Sequence, residues 1–219
     1  MRYFPVNLDI RGRKALVVGG GTVGSRKAHT LLRAGAQVTL ISPQASDAIR
    51  ALAEAGRLTW HQRPYRSSDM SAVFLVFSAT DDPDLNDRIA EDAAKHGALC
   101  NYADQPQRGH FILPSVVERG DLVISISTSG KSPAVARRLR QDLEACFGDE
   151  YAPYLRLLGA IRERLLAREH APDQHRKVFA RLIDGGLLAL VRAGDRKGID
   201  RLLESVLGES FDASLMDCK

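Results

Sequence analysis

A glycine-rich stretch near the N-terminus, residues 14–42, constrains the fold of this chain more than any other feature. It reads KALVVGGGTVGSRKAHTLLRAGAQVTLIS, in which a short apolar segment is followed by an apolar-periodic helix and a second apolar segment. Three glycines stand at the G-x-G-x-x-G spacing between the first segment and the helix: Gly19, Gly21 and Gly24. In a β-α-β unit such glycines permit a tight turn, the approach of a pyrophosphate, and close packing of helix and strand. The stretch therefore predicts a dinucleotide site at the N-terminus of a helix.

The rest of the N-terminal half repeats the alternation of short apolar segments and helices. Apolar runs predict further strands at 58–61, 73–78 and 98–101. Intervening patterns predict one helix from Pro43 to about Ala55 and another from Pro83 through Lys95. Residues 1–13 alternate in a strand-like way before a turn at Arg11–Gly12. This order predicts an α/β fold with a Rossmann-type, doubly wound parallel sheet.

The pattern changes after Pro114. A short segment at 115–118 and an alternating strand at 122–127 are followed by a helix that begins at Pro133, with Ser132 as its N-cap. From Glu150 onward the apolar residues recur only at helical spacing. The predicted domains are a dinucleotide-binding domain over 1–113, a small β/α domain over 114–147 and a helical C-terminal domain over 148–219.

Composition narrows the environment and the partners. The 219 residues carry a formal net charge of +4, which a mildly basic surface explains without a nucleic-acid partner. No apolar run has the length of a membrane span, and no signal-peptide pattern opens the chain. The three cysteines and six histidines show no metal-ligand spacing, so we expect no bound metal and a reducing cytoplasm.

Positive charge is concentrated after the strand at 122–127. Four basic residues fall within ten positions without an acid among them: Lys131, Arg137, Arg138 and Arg140. They follow the hydroxyl-bearing turn that begins at Thr128 and Ser129. A solvated helix face is one interpretation, and a site for a polyanionic small molecule is the other. Residues 130–132 read Gly-Lys-Ser, like the end of a Walker A P-loop. A P-loop is excluded, because Ser125 stands where that pattern requires its first glycine.

Two further loops are expected at the same sheet edge as the glycine turn. One contains Thr80 and Asp81, and the other, residues 101–108, contains Asp104. Asp104 is the candidate catalytic group, and the nearby His110 is interpreted as structural. The second strand ends in Ile-Ser-Pro-Gln without the acid that usually holds the adenosine ribose. This leaves NAD and NADP both open, and the lack of an arginine there favours NAD.

Four motifs in this order carry a resemblance to a known family. They read VVGGGTVGSRKAHTLLRAGAQVTLISP, SATDDPDLN, CNYADQP and FILPSVVERGDLVISISTSGKSPAVARRLR. Over about residues 3–145 the chain resembles the precorrin-2 dehydrogenase / sirohydrochlorin ferrochelatase family of sirohaem biosynthesis. It is similar to the free-standing form, which ends before the methyltransferase domain of fused members.

The resemblance implies an NAD-binding domain, a dimerisation domain over 114–147 and a helical C-terminal domain, assembled as a homodimer. It implies NAD-dependent oxidation of precorrin-2 to sirohydrochlorin, and in bifunctional members insertion of Fe²⁺ to give sirohaem. A dehydrogenase that relies on a separate chelatase, an NAD-responsive regulatory module and a dehydrogenase of an unrelated small acid remain alternatives.

The resemblance also assigns residues by motif position. Asp104 matches the catalytic aspartate, and Thr128 stands where some members have a serine. The expected cofactor-binding residues are Gly19, Gly21, Thr22, Val23, Gly24, Pro43, Gln44, Thr80 and Asp81. The expected residues for the tetrapyrrole substrate are Thr128, Ser129, Lys131 and Arg138.

Overall fold

The computed structural model describes residues 2–103, 105–167 and 172–208. The chain divides into two compact units, Met1–Leu113 and Pro114–Lys219. In the described residues, no helix is both long enough and apolar enough to cross a bilayer.

The first unit is built on a five-stranded, entirely parallel sheet. Its strands, in chain order, are β1 (Lys14–Val18), β2 (Gln37–Ile41), β3 (Thr59–His61), β4 (Leu75–Ser78) and β5 (Leu99–Tyr102). Their spatial order is β3-β2-β1-β4-β5, so the strand order reverses beside β1. The helices are α1 (Thr22–Arg33), α2 (Asp47–Glu54) and α3 (Pro83–His96). The predicted Rossmann-type class is confirmed, and the reversal places a ligand crevice at the carboxyl end of β1.

The apolar runs form strands because both faces of the sheet are covered. Ala15 and Val17 of β1 point into a core that α1 and α2 complete, whereas Leu16 and Val18 point into a second core completed by α3. All four are at most 2% exposed. Continuous apolar sequence is what a parallel strand buried on two sides requires.

The prediction that a helix starts at Pro43 is wrong. Helix α2 begins four residues later, at Asp47. The intervening residues pack against the glycine turn: Ala45 is buried, and the Ser46 amide donates a 3.0 Å hydrogen bond to the Gly20 carbonyl. This tertiary bond uses an amide just before the helix, so the helix cannot extend back to Pro43.

The strand-like lead-in is also not a strand. The described residues up to Gly12 pair with none of the strands, and Phe4 and Val6 are 80% and 61% exposed. Only Ile10 packs against the core. Alternation alone does not make a strand, because the backbone also needs a neighbouring strand to bond. The bounds of β3, β4 and β5 differ from the predicted ones by one or two residues at an end.

The second unit opens with an antiparallel hairpin and a helix. Strands β6 (Ser115–Arg119) and β7 (Leu122–Ile126) pair directly, and α4 (Pro133–Cys146) follows. The Ser132 hydroxyl accepts a 3.3 Å hydrogen bond from the Val135 amide, as its predicted capping role requires. The remaining helices are α5 (Tyr151–Leu166), α6 (Pro172–Asp184), α7 (Leu187–Ala193) and α8 (Arg196–Leu207).

Helices α5–α8 share a core of their own. Its fully buried members include Leu157, Ile161, Leu182, Leu187 and Ile199. The predicted apolar stripes lie in or against this core, so they have a packing role. A boundary between residues 147 and 148 stays a prediction.

Candidate functional site

The glycine turn is wedged between the loops that follow β2 and β4. Gly19 has φ +113°, and a Cβ there would collide with the carbonyl oxygen of Ala79. A Cβ on Gly20 would collide with the carbonyl oxygen of Gln44, and one on Gly24 with that of Gly19. Three glycines therefore have no room for a side chain, and Gly20 is one that the fingerprint does not include.

Gly21 differs from these three, because a Cβ there would meet no atom within 4 Å. It is the N-cap of α1, no side chain caps that helix, and its first turn contains no acid. Thr22 and Val23 follow at the surface. An open backbone edge at the positive end of a helix fits the pyrophosphate of a dinucleotide.

The loop after β2 forms one side of the glycine turn. Pro43 and Gln44 are exposed, and the Gln44 carbonyl lies against Gly20. The Ser42 carbonyl accepts a 3.1 Å hydrogen bond from the Trp60 indole, which fixes the start of the loop. Pro43 and Gln44 are therefore accessible to a cofactor bound at the glycine turn, and their contact with it stays a prediction.

The loop after β4 is held by a buried asparagine. Asn86 is 2% exposed, and its Oδ1 accepts hydrogen bonds from the hydroxyls of Ser78 (2.5 Å) and Thr80 (2.7 Å). Its amide nitrogen donates to the Thr80 carbonyl at 3.0 Å. Thr80 thus serves the loop structure, while Asp81 is exposed. Asn86 was not among the predicted site residues, although a polar residue on the core-facing side of α3 is a usable signal.

Asp104, the predicted catalytic residue, lies outside the described residues. Backbone hydrogen bonds hold the residues on either side of it. The Ala103 amide donates to the Ser78 carbonyl at 3.2 Å, and the Arg108 amide donates to the Gln105 carbonyl at 2.9 Å. The segment thus follows β5 at the same sheet edge as the glycine turn and the Thr80 loop.

His110 has a bond that defines its tautomer. Its Nδ1 lies 3.0 Å from the backbone nitrogen of Cys100, which can only donate. In the neutral ring the proton is therefore on Nε2, and the Nδ1 lone pair is used by the Cys100 amide. Burial raises the pKa of the Cys100 thiol to about 11, so this cysteine stays protonated at neutral pH.

The turn in the second unit that holds the predicted substrate residues is internally bonded. The Thr128 hydroxyl accepts from the Ser132 amide at 3.2 Å and donates to the Ser132 carbonyl at 3.1 Å. Ser129 has φ +52°, a left-handed conformation that is uncommon outside glycine. Lys131 is exposed, and its amide donates to the Thr128 carbonyl at 2.9 Å. The Thr128 hydroxyl therefore has a structural role in this turn.

Two of the four clustered basic residues have acidic partners in the structure, although no acid falls among them in the sequence. Arg138 pairs with Asp142 at 2.9 Å, and Arg140 pairs with Glu144. Each acid lies one helical turn after its arginine and outside residues 131–140, in which the charges were counted. Within the part of the chain that the structure describes, Lys131 and Arg137 make no ion pair.

Metal-ligating side chains do not converge anywhere in the described ranges: no group of three or more His, Cys, Asp or Glu residues is placed to hold an ion.

The fold and the glycine turn define a Rossmann-type protein with a nicotinamide dinucleotide site. Comparison with known families agrees. Residues 6–115 match the family described as "Putative NAD(P)-binding", and residues 119–145 match "Sirohaem biosynthesis protein central". The first unit is thus an NAD(P)-binding domain, which confirms the predicted class of cofactor.

Individual relatives point to the same pathway. The chain is 34% identical over 210 residues to "Siroheme synthase" of Photorhabdus laumondii, covering 96% of this chain and 45% of the relative. It is 36% identical over 212 residues to "Siroheme synthase 1" of Pectobacterium atrosepticum, covering 97% and 44%. The chain therefore spans a little under half the length of the curated relatives it matches.

A solved structure is similar along its whole length. "SirC, precorrin-2 dehydrogenase" matches with a TM-score of 0.79 at 26% identity, covering 94% of this chain and 100% of that chain. The chain belongs to the precorrin-2 dehydrogenase / sirohydrochlorin ferrochelatase family of sirohaem biosynthesis, as its four motifs predicted.

Proposed function

We propose that this chain oxidises precorrin-2 to sirohydrochlorin with NAD as the oxidant, and that it then inserts Fe²⁺ to give sirohaem. The observation that carries the proposal is the similarity to SirC, which extends over all of that precorrin-2 dehydrogenase. The siroheme synthase relatives support the pathway, and the family suggests the second reaction.

The residues around the glycine turn fit the cofactor. Gly21 presents an open backbone edge, and it is also the N-cap at the positive end of α1. NAD, when bound, supplies the hydride acceptor for the oxidation. The residues that would hold it are those of the turn and of its two flanking loops: Gly19, Gly21, Thr22, Val23, Gly24, Pro43, Gln44, Thr80 and Asp81.

Asp104 serves as the general base in this proposal. Loss of two hydrogens from the macrocycle separates into a hydride and a proton, and a carboxylate is a suitable proton acceptor. In the second reaction the same carboxylate takes pyrrole N–H protons as Fe²⁺, a substrate, enters the macrocycle. The His110 geometry supports this choice, because its Nδ1 already accepts the Cys100 amide.

The turn at 128–132 binds the substrate in this proposal. Precorrin-2 carries eight carboxylates, and the Lys131 and Arg137 side chains are exposed and unpaired among the described residues. Arg138 would have to exchange Asp142 for a substrate carboxylate. The backbone and hydroxyl groups of Thr128 and Ser129 complete the expected contact surface.

We also propose a cytoplasmic homodimer. Two valines on the outer face of the hairpin, Val116 and Val123, and two apolar residues of α4, Val135 and Leu139, are 38–50% exposed. A second copy of this region would cover them. The buried Cys100 and exposed Cys146 are both free thiols, which agrees with a reducing compartment.

Incubation of the purified chain with precorrin-2 under anaerobic conditions tests the proposal. We expect the visible spectrum to change to that of sirohydrochlorin only when NAD is present, and to that of sirohaem when Fe²⁺ is added. Conversion that stops at sirohydrochlorin would indicate a dehydrogenase with a separate chelatase. Binding of NAD without any conversion would favour a regulatory module and contradict the proposal.

A further inference from the structure

Helix α3 carries two adjacent polar residues whose side chains hold two different loops. Asn86 holds the Thr80 loop. The next residue, Asp87, reaches the segment after β5 instead: its Oδ1 accepts a 2.9 Å hydrogen bond from the Tyr102 hydroxyl and pairs with the Arg108 guanidinium. One turn of one helix is therefore bonded to both loops at this edge of the sheet.

Tyr102 and Arg108 stand at the two ends of the segment in which Asp104 occurs. Tyr102 is the last residue of β5 and is 1% exposed, and Arg108 ends the 3-10 turn Pro106–Arg108. A buried strand and a short turn thus converge on one carboxylate. Arg108, and after it Tyr102, hold the Asp87 pKa below its usual range, so Asp87 is ionised at neutral pH and retains both partners.

We propose that Asp87, Tyr102 and Arg108 form a clamp that fixes the ends of the 103–107 segment relative to the Thr80 loop. Asp87 and Arg108 are positioning residues in this proposal, because their contacts are with protein groups. The catalytic consequence rests on the proposed role of Asp104. The clamp itself rests only on the contacts among these three residues.

A general base acts only when it lies within hydrogen-bond reach of the proton that it removes. A misplacement of about 1 Å can lower a rate about 100-fold. Release of one end of the segment should therefore lower kcat for dehydrogenation by about 10- to 100-fold. The affinity for NAD should change little, because NAD is proposed to bind at the glycine turn, and none of the three clamp residues belongs to that turn.

The test compares Arg108→Gln with Arg108→Lys and with a matched control. Lysine keeps the charge, so it should recover part of the lost kcat. The control is Arg63→Gln, which removes the Arg63–Asp69 pair (2.7 Å) in the same unit without touching either loop. Each variant is measured for kcat, KM, NAD affinity and hydrogen exchange in peptides covering 103–108.

We expect Arg108→Gln to lower kcat with unchanged NAD affinity and to accelerate exchange in the 103–108 peptides, while Arg63→Gln does neither. Wild-type kcat and exchange in Arg108→Gln, or equal losses in the control, would overturn the clamp. If Arg108→Gln does not fold, two other variants carry the same expectations: Tyr102→Phe removes the hydroxyl that bonds Asp87 and the Pro83 carbonyl, and Asp87→Asn removes the charge that holds Arg108. If the wild-type chain does not oxidise precorrin-2, the proposed function fails, and the exchange measurement still decides whether the clamp exists.

Discussion

The N-terminal unit and the β/α region at 114–147 use their apolar residues in opposite ways. In the sheet of the first unit, Val17, Leu40 and Val76 are fully buried. In residues 114–147, only Val117 and Ala136 are buried, although the region is rich in valine and leucine. The first unit completes two cores within its own chain, whereas the β/α region leaves apolar side chains at its surface.

This difference separates what each region can do alone. A parallel sheet with helices on both faces is self-sufficient, so its edge can carry a rigid cofactor site. The β/α region buries only Val117 and Ala136, so its exposed apolar side chains are available for a contact with another chain. The first unit therefore carries the dinucleotide site, and we propose that the β/α region makes the subunit contact. Four predictions test this division and the stability of the first unit.

The largest effect is expected for Gly21→Asp. The position has open space and φ −75°, so the substitution should leave the fold intact. Its carboxylate would repel the pyrophosphate, and NAD-dependent oxidation should be abolished. Gly21→Asn, which has the same size without the charge, should be less severe.

Metal insertion into supplied sirohydrochlorin should survive in Gly21→Asp, because that reaction needs no hydride acceptor. Both activities are followed by visible absorbance, with circular dichroism to verify the fold. Equal loss of both activities in a folded variant would contradict the division.

The second effect is expected at Asp104. Asp104→Ala should lower kcat for dehydrogenation by about 10² to 10⁴, the usual contribution of a general base. Asp104→Asn should be nearly as slow, because it retains the shape and loses the basicity. Calorimetric titration should give unchanged NAD affinity. Near-normal turnover by Asp104→Asn would show that the residue only positions the substrate.

The third effect concerns assembly. Leu139→Glu combined with Val135→Glu places two charges on the exposed apolar face of α4. We expect sedimentation to shift from dimer to monomer at micromolar concentration, with a dimer dissociation constant raised by about tenfold or more. The helical core of α5–α8 should remain, as circular dichroism can show. A monomeric wild-type chain would refute the proposed contact.

The smallest effect is expected for Arg63→Gln. Arg63 lowers the pKa of Asp69, and the pair is partly buried. Its loss should give a small reduction in the free energy of unfolding at pH 7, because solvent screens a partly exposed pair. Because the folded-state pKa is depressed, this stabilisation is complete above the ordinary carboxyl pKa of about 4 and is lost as pH falls below it. Urea denaturation at pH 7 and below pH 4 should show the difference shrinking, and an equal difference at both would contradict it.

Much of the first unit follows from the sequence, because continuous apolar runs between helices have few alternative structures. The features that the sequence did not predict depend on tertiary bonds. The start of α2 is set by the Ser46–Gly20 bond, and the role of Asn86 depends on residues up to eight positions away. The Asp87 contacts join residues 15 and 21 positions apart, which no local pattern indicates. The acids that pair with Arg138 and Arg140, in contrast, were visible at the i+4 positions.

The most direct test of the account is the stoichiometry of the oxidation. Precorrin-2 and NAD are mixed with the chain anaerobically, and sirohydrochlorin and NADH are quantified in the same sample. Removal of one hydride and one proton predicts one NADH for each sirohydrochlorin, with neither product formed by Gly21→Asp. Sirohydrochlorin that appears without matching NADH would contradict the account.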